Sequence, residues 1–310
     1  MARAKDLRPL LIDVGTQPAA AIYLSHGSWF PSSSVQVVYV DRGTGRVRDS
    51  VLYSDGLVNK LIHLHTELFL GERGSQMLGC VAIVVLLMTL SGYLLWWPGK
   101  SGWKRAIRID WKARWPRLNW DLHNAVGFFG GPFLILQGAT ALGLTLLMPV
   151  LGSTVPKIVE EIARFDNPPR SLPTHDHDRA PRLEPMVLQS VRNHPEMQLK
   201  SIALPIEQED PILVTMGSAR YEDRGSQARL SFDRYSGVLL SDLDSDRGSR
   251  VLRLYVLLGP LHYGHVAGLW SEFLWAGLGF TPSLLFLSGF AMWWRRIPAK
   301  YMGSMKARSI

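Results

Sequence analysis

The sequence predicts an α+β membrane protein, in which three transmembrane helices carry two small α+β modules outside the membrane. Three observations predict it: long uncharged apolar runs, a one-sided distribution of basic residues, and a segment that occurs twice. The apolar runs comprise residues 77–97, 125–151 and 273–294, and none of them contains a charged side chain. Because roughly 20 apolar residues cross a bilayer core of about 30 Å, each run is long enough to be a transmembrane helix.

The duplicated segment joins a Leu-His pair to a pair of tryptophans. Residues 64–98 are echoed by residues 261–296, and the histidine of each copy, His65 or His262, stands 31 positions before the first tryptophan. A continuous helix of that length would extend about 46 Å, comparable to a whole bilayer with its headgroups. The repeat unit is therefore predicted to be a soluble module followed by a membrane helix that begins with a histidine.

The basic residues lie on one side of the predicted topology. The segment 99–121 and the tail after Trp294 each carry a net charge of +5, whereas residues 1–76 sum to +1 and residues 151–268 to −2. By the positive-inside rule, the two basic segments lie in the cytoplasm and both modules lie outside. Because this topology accounts for the basic isoelectric point, we expect no nucleic-acid partner.

The chain order follows from these boundaries. We predict a module over 1–60, a transmembrane helix over 61–98, a basic cytoplasmic loop over 99–121, a second transmembrane helix over 122–151, a linker and second module over 152–260, a third transmembrane helix over 261–296 and a basic cytoplasmic tail over 297–310. The second module follows a span and the first does not, and the start of the chain lacks a signal-peptide pattern. We therefore expect a four-helix plan from which the first helix is absent.

The two modules show the patterns of short antiparallel sheets. In the first, strands are predicted over 20–24, 35–40 and 46–51. In the second, a helix over 184–194 precedes strands over 200–204, 211–216, 228–232 and 238–240. The turns also repeat, because VDRGTG at 40–45 matches FDRYSG at 232–237. Glycine and small polar residues at these positions are typical of hairpin turns.

These residues together resemble a known family. The matching motifs are Leu64-His65 with Gly71, Ser91-Gly92-Tyr93 with Trp96-Trp97-Pro98, Leu122-His123-Asn124 with Gly127, and Pro260-Leu261-His262-Tyr263-Gly264. The modules resemble the PepSY domain, and the spans resemble the PepSY-associated transmembrane family of bacterial inner-membrane proteins. The resemblance implies an inner-membrane location with periplasmic PepSY-like modules. The family's first helix, which usually carries its own Leu-His, is not found in this sequence.

The resemblance implies haem b as cofactor, because family members include di-haem reductases that take iron from ferric siderophores in the periplasm. Neutral imidazole is a standard axial ligand of haem iron. We expect His65 and His262 to hold an outer, periplasmic-side haem, because they precede their spans by equal distances. His123 opens the second span near the cytoplasm, and an inner haem there is expected to be lost, weak or five-coordinate.

Other histidines are open alternatives. His265 is a rival to His262, since it lies three residues further along nearly the same helix face. His63 is interpreted as a surface residue, because it faces away from His65 on a helix. Residues 175–178 (HDHD) form either a divalent metal site or a solvated linker. An acid near a haem, Glu272, is interpreted as interfacial, as a partner of Arg73 or as a group that tunes the iron.

The function predicted first is electron transfer to a ferric siderophore or similar ferric chelate in the periplasm. No glycine-rich dinucleotide motif is found, so we expect a quinol or a separate cytoplasmic reductase as electron donor. The alternative is a non-enzymatic PepSY membrane protein that binds or inhibits a periplasmic peptidase or another partner.

Overall fold

The computed structural model describes residues 7–15, 19–26, 35–99, 102–147, 156–171, 182–218 and 225–306. These form two compact units. The sheet unit comprises Met1–Leu78 and Gly143–Pro260, and the membrane unit comprises Gly79–Leu142 and Leu261–Ile310.

The sheet unit is built on one antiparallel sheet of eight strands. The strands are β1 (Arg8–Asp13), β2 (Ala19–Ser25), β3 (Gln36–Asp41), β4 (Val47–Leu52), β5 (Met197–Ala203), β6 (Ile212–Ser218), β7 (Gln227–Phe232) and β8 (Leu239–Asp244). Their order is β4-β3-β2-β1-β5-β6-β7-β8, so each half is a four-stranded meander and the halves join between β1 and β5. The two predicted modules are therefore halves of one sheet, in which Ile12 lies opposite Ile202.

Each of the seven predicted strands corresponds to an observed strand. Strand β1 was not predicted, because its sequence RPLLID has a proline at its second position and lacks the alternation of a half-buried strand. This strand joins the two halves of the sheet.

The hairpin turn between β3 and β4 is organised by one carboxylate. The Oδ1 atom of Asp41 accepts hydrogen bonds from the backbone of Gly43 at 3.0 Å, and from the backbone and hydroxyl of Thr44 at 2.9 Å each. The other carboxylate oxygen pairs with Arg48. Gly45 closes the turn in the left-handed region, with φ of 67°, where glycine carries no Cβ penalty.

The turn between β7 and β8 repeats this arrangement atom for atom. Asp233 Oδ1 accepts hydrogen bonds from the backbone of Tyr235 at 3.0 Å, and from the backbone and hydroxyl of Ser236 at 2.7 and 2.8 Å. Gly237 occupies the left-handed position, with φ of 74°. The repeat seen in the sequence is thus a repeat of turn chemistry, in which an Asx side chain takes the place of backbone acceptors.

The helices are α1 (Leu57–Glu67), α2 (Glu72–Trp96), α3 (Trp103–Ala106), α4 (Trp115–Leu142), α5 (Pro156–Asp166), α6 (Leu183–Asn193), α7 (Arg250–Tyr263), α8 (Leu269–Leu278) and α9 (Thr281–Lys306). A π-helical turn over Gly143–Leu147 extends α4. Helix α6, predicted over 184–194, packs Met186 into the core of the second half-sheet with Val214, Leu230 and Phe232. A second core joins α5 to α7.

The predicted continuous helix from His65 to Trp96 is wrong. Helix α1 ends at Glu67, and Leu68 and Phe69 then adopt left-handed conformations with φ of 51° and 57°. Gly71 is also left-handed, and α2 begins one residue later. His65 therefore lies on a short helix that precedes the span.

The second copy contains a break at the same place. His262 lies near the end of α7, and Gly264 and Gly268 have φ of 79° and 71° before α8 begins. A Cβ on Gly264 would lie 2.6 Å from the ring of Trp275, so close approach as well as backbone conformation requires glycine there. In both copies the histidine-bearing helix is thus separated from its span by a left-handed turn.

Three stretches of the described chain are long and apolar enough to cross a membrane: Glu72–Trp96, Trp115–Leu146 and Leu269–Arg296. They confirm the three predicted spans. Within the membrane unit α4 packs against both other spans through glycine. A Cβ on Gly130 would lie 2.4 Å from Thr281 of α9, and one on Gly131 would lie 2.3 Å from the hydroxyl of Tyr93 of α2. Small residues at such positions let membrane helices approach closely.

Candidate functional site

The membrane unit contains a partly open cavity of about 620 Å³ between α2, α4 and α9. Its lining is mainly aromatic and aliphatic, with one histidine among the described residues. The wall residues that bear on its chemistry are Gly92, Tyr93 and Trp96 from α2, His123 and Gly127 from α4, and Gly289 from α9.

Glycines on all three helices keep this cavity open. A Cβ on Gly92 would meet nothing within 4 Å, so a side chain there would extend into the cavity. A Cβ on Gly127 would lie 3.6 Å from Leu285, and one on Gly289 would lie 3.5 Å from Cε1 of His123. These are ordinary contact distances, so helix packing does not by itself require glycine at the three positions.

The ring of His123 is oriented by a serine on the facing helix. His123 Nδ1 lies 2.7 Å from the hydroxyl of Ser288, and that hydroxyl lies 2.6 Å from the carbonyl of Leu284, one turn earlier on α9. A carbonyl only accepts, so the single hydroxyl proton goes to the backbone and His123 Nδ1–H is the donor to Ser288. The lone pair of the imidazole is then on Nε2, to which no side chain of the described residues is hydrogen-bonded.

A second contact holds the same two helices in register. The buried amide of Asn119, one turn before His123, donates from Nδ2 to the backbone carbonyl of Ser288 at 3.0 Å. Helix α4 thus contacts both polar groups of Ser288: Asn119 binds the backbone carbonyl and His123 binds the side-chain hydroxyl. Hydrogen bonds of this kind, to the ring nitrogen that does not bind the metal, orient metal-ligating histidines.

Trp96 contributes an unusual donor to the cavity wall. Its indole Nε1 is buried and has no hydrogen-bond partner among the described residues. The ring centroids of Phe128 and Trp103 lie 5.1 and 5.3 Å from the ring centroid of Trp96, so aromatic rings pack around the indole. Buried N–H groups nearly always have an acceptor, so this one is an exception among the described residues.

His262 is oriented in the same way at the other end of α4. Its Nδ1 lies 2.9 Å from the hydroxyl of Thr140, which lies 2.8 Å from the carbonyl of Leu136 on its own helix. The hydroxyl proton again goes to the backbone, so His262 donates from Nδ1 and has its lone pair on Nε2. Gln137 also donates to the backbone carbonyl of His262 at 3.2 Å, which fixes the end of α7 on α4.

The two anchoring points are far apart on α4. His123 and Thr140 are separated by 17 residues, which corresponds to about 25 Å along a helix at 1.5 Å per residue. The imidazoles of His123 and His262 are therefore held at opposite ends of one span.

His265, the predicted rival of His262, is engaged by an acid. Its Nε2 lies 3.2 Å from a carboxylate oxygen of Glu272, and both side chains are about one-third exposed. The carboxylate therefore lies against one of the two ring nitrogens of His265. Glu272, for which several interpretations were open, is a partner of His265.

His63, not His65, is the enclosed histidine of α1. His65 is exposed, whereas the side chain of His63 is 12% exposed, with Nδ1 2.5 Å from Glu67 and the ring edge-on to Tyr53 at 5.5 Å. Its Nε2 is buried without a hydrogen-bond partner among the described residues. The interpretation of His63 as a surface residue is wrong, because α1 turns residue 63 towards Tyr53. The spacing His-x-x-x-Glu was the signal in the sequence.

Two predicted features are not decided by this geometry. His65 belongs to the sheet unit and His262 to the membrane unit, so their joint ligation of one haem stays a prediction. The HDHD segment at 175–178 lies outside the described residues.

Comparison with known proteins places the chain in a family. The sequence profile of the family described as "PepSY-associated TM region" matches residues 2–296. The protein "Uncharacterized protein PA4219" of Pseudomonas aeruginosa is 27% identical over 258 residues, which cover 76% of this chain. The alignment covers 63% of that relative, so the chain spans less than two thirds of its length. Because the profile extends over nearly the whole sequence, this protein belongs to the PepSY-associated TM region family.

Proposed function

We propose that the protein is a haem-binding electron-transfer protein of the bacterial inner membrane, with its sheet in the periplasm, and that it reduces a ferric siderophore or similar ferric chelate. The observation that carries the proposal is the cavity of about 620 Å³ with His123 in its wall, its tautomer fixed by Ser288. The family membership supports it, because the motifs on which the resemblance to di-haem reductases rests include His123.

The residues of the cavity fit a haem b. Cofactor pockets are mostly apolar, measure roughly 300–1,000 Å³ and contain a few placed polar groups, as this one does. His123 would hold the iron through Nε2. The glycines at 92, 127 and 289 leave room for a flat ring. Bound haem would supply one-electron chemistry at its iron.

The arrangement of His262 and Thr140 supports a second haem at the other end of α4. His65 remains its proposed partner. With two imidazoles on one iron, no position would remain for the chelate. The chelate would then be bound by the surface of the protein, outside the coordination sphere of the iron.

The chemical purpose of the reduction is release of the metal. Hard oxygen chelators hold Fe(III) far more tightly than Fe(II), so transfer of one electron to the ferric chelate frees the ion. The sequence carries no glycine-rich dinucleotide-binding motif. In this proposal the electron therefore comes from a quinol or from a separate cytoplasmic reductase. The basic loop and tail face the cytoplasm in this proposal.

An absorption spectrum tests the proposal. We expect protein purified in detergent from haem-replete cells to show a Soret band that shifts and sharpens on reduction with dithionite. His123→Ala should lose haem, measured per protein, whereas the exposed residue His26 in a His26→Ala variant should not affect it. A colourless wild-type preparation would refute the proposal and favour a non-enzymatic PepSY protein that binds a periplasmic partner.

A further inference from the structure

The turn between α6 and β5 places a histidine among carboxylates at the end of β8. His194 directly follows α6, and its side chain is 1% exposed. Asp242 and Asp244 of β8 approach the ring, as does Glu196 from the same turn. All four residues belong to the sheet unit, so this cluster is separate from the proposed haem cavity.

Asp242 determines which nitrogen of His194 carries a proton. Its Oδ1 lies 2.7 Å from His194 Nε2, and its Oδ2 accepts a hydrogen bond from the amide of Asn193 at 2.8 Å. An ionised carboxylate is an acceptor only, so His194 Nε2–H is the donor. A carboxylate that holds one imidazole nitrogen in this way is the usual support behind a metal-ligating histidine.

The other nitrogen, Nδ1, has no hydrogen bond to the described residues although it is buried. It lies 3.6 Å from Asp244 Oδ2 and 3.9 Å from Glu196 Oε1, which is too long for a hydrogen bond. Buried polar atoms are nearly always satisfied. An unsatisfied nitrogen that faces two carboxylate oxygens therefore indicates that a cation belongs between them.

We infer that His194 Nδ1, Glu196 and Asp244 bind a divalent first-row transition-metal ion. Their ligand atoms all lie within 4.8 Å of one another. Metal bonds of about 2.0–2.2 Å place neighbouring tetrahedral ligands about 3.4 Å apart. The distances of 3.6 and 3.9 Å from His194 Nδ1 to the two carboxylate oxygens therefore need to shorten by about half an ångström or less. Imidazole nitrogen selects ions such as Zn²⁺ and Fe²⁺ over Ca²⁺ and Mg²⁺, which prefer all-oxygen sites.

Arg247 is a neighbouring cation that would compete with a metal ion for these carboxylates. Its guanidinium lies 3.2 Å from Asp244 Oδ2 and 3.8 Å from Glu196 Oε1, the same two oxygens that face His194. The side chain of Arg247 is 69% exposed, so it can swing into solvent when a metal ion enters. The other oxygen of Asp244 accepts a hydrogen bond from the backbone of Asp246 at 2.8 Å, which fixes the carboxylate.

Zinc binding to the full chain in detergent tests the inference. The protein is stripped with a chelator and equilibrated with Zn²⁺ in an excess of Mg²⁺ and Ca²⁺, and bound zinc is measured by mass spectrometry and by competition with a chromophoric chelator. We expect about one equivalent of zinc, bound at least about tenfold more weakly by Glu196→Gln and by Asp244→Asn. Removal of the competing cation in Arg247→Gln should tighten binding.

A matched control is available on α6. Glu184 is an exposed acid outside the cluster, so Glu184→Gln should bind zinc as the wild type does. The side chain of Glu196 is 55% exposed, so Glu196→Gln removes a ligand without disturbing the core. Equal zinc binding by the wild type, Glu196→Gln and Asp244→Asn would overturn the inference, and the acids would then be ion-pair partners of a protonated His194.

Discussion

The pair formed by His262 Nδ1 and the Thr140 hydroxyl, 2.9 Å apart, repeats the pair formed by His123 Nδ1 and the Ser288 hydroxyl, 2.7 Å apart. In each pair the hydroxyl also lies within hydrogen-bond distance of a carbonyl one turn earlier in its own helix. Each helix backbone thus sets the tautomer of an imidazole on another helix. Two histidines at opposite ends of α4 are thereby held in the same way, with the lone pair of each ring on Nε2.

Loss of the Ser288 hydroxyl should weaken haem binding at His123. In Ser288→Ala the Nδ1 proton loses its acceptor, and loss of a hydrogen-bond partner behind a metal-ligating histidine typically costs about 10–100-fold in metal affinity. Haem transfer to apomyoglobin measures the change in retention. Ser283→Ala, an exposed serine on the same helix, is the control and should retain haem normally. Unchanged retention in Ser288→Ala would show that Ser288 does not support a ligand.

The effects of Ser288→Ala and Thr140→Ala should be independent. The two hydroxyls support histidines at opposite ends of α4, about 25 Å apart along the helix, and sites more than about 10 Å apart usually act additively. We expect each variant to alter a different component of a potentiometric titration, and the double variant to show both changes. A single component altered by both substitutions would contradict two separate sites.

A larger side chain at position 92 should exclude the cofactor. A Cβ on Gly92 meets no protein atom within 4 Å, so leucine there would fill the cavity rather than clash with a helix. We expect Gly92→Leu to lower haem content per protein while helix content by circular dichroism stays unchanged. Gly277→Leu is the matched control, because position 277 is equally open but does not line the cavity. Full haem loading of Gly92→Leu would place the cofactor elsewhere.

The contact between α4 and α9 should not tolerate a methyl group at position 130. A Cβ on Gly130 would lie 2.4 Å from Cγ2 of Thr281, and overpacking of this kind costs about 1–3 kcal/mol. We expect Gly130→Ala to lower the thermal unfolding temperature in detergent. Thr281→Ala removes the clashing methyl and should partly rescue the variant. Gly92→Ala is the control and should not be destabilised, because a Cβ at position 92 has no protein atom within 4 Å. An unchanged unfolding temperature in Gly130→Ala would contradict this packing.

The first hairpin turn should lose stability in acid. The backbone N–H of Thr44, and then the Arg48 guanidinium, lower the pKa of Asp41 from 3.8 to about 2. Because the pKa of Asp41 is lower in the folded than in the unfolded protein, its carboxylate stabilises the fold fully above about pH 4, and this stabilisation is lost as the pH falls towards 2. The unfolding temperature of the sheet, measured between pH 5 and 2.5, reports the loss. The dependence should be smaller in Asp41→Asn and unchanged in the exposed-site control Asp55→Asn.

The sequence was most informative where structure depends on neighbouring residues. The turn motifs at 40–45 and 232–237 were predicted as hairpins, because an aspartate, a hydroxyl residue and a glycine satisfy the turn within a few positions. The three spans were predicted for a similar reason, since a long uncharged run has few stable alternatives to a membrane helix.

The sequence was least informative where distant segments meet. Leucine and phenylalanine rarely adopt left-handed conformations, so the residue types at 68 and 69 do not predict the break before α2. The choice between His63 and His65 likewise depends on which face of α1 meets Tyr53. Both are decided by packing.

By itself the sequence determined the spans, the repeated turns and the presence of histidines at the ends of the helices. Only the tertiary structure joined the two half-sheets through β1 and β5, and only it brought Ser288 to His123 and Thr140 to His262. The physical reason is that a local pattern fixes hydrogen bonds within a helix or a turn. The proton position of an imidazole is fixed by an acceptor that arrives from more than a hundred residues away.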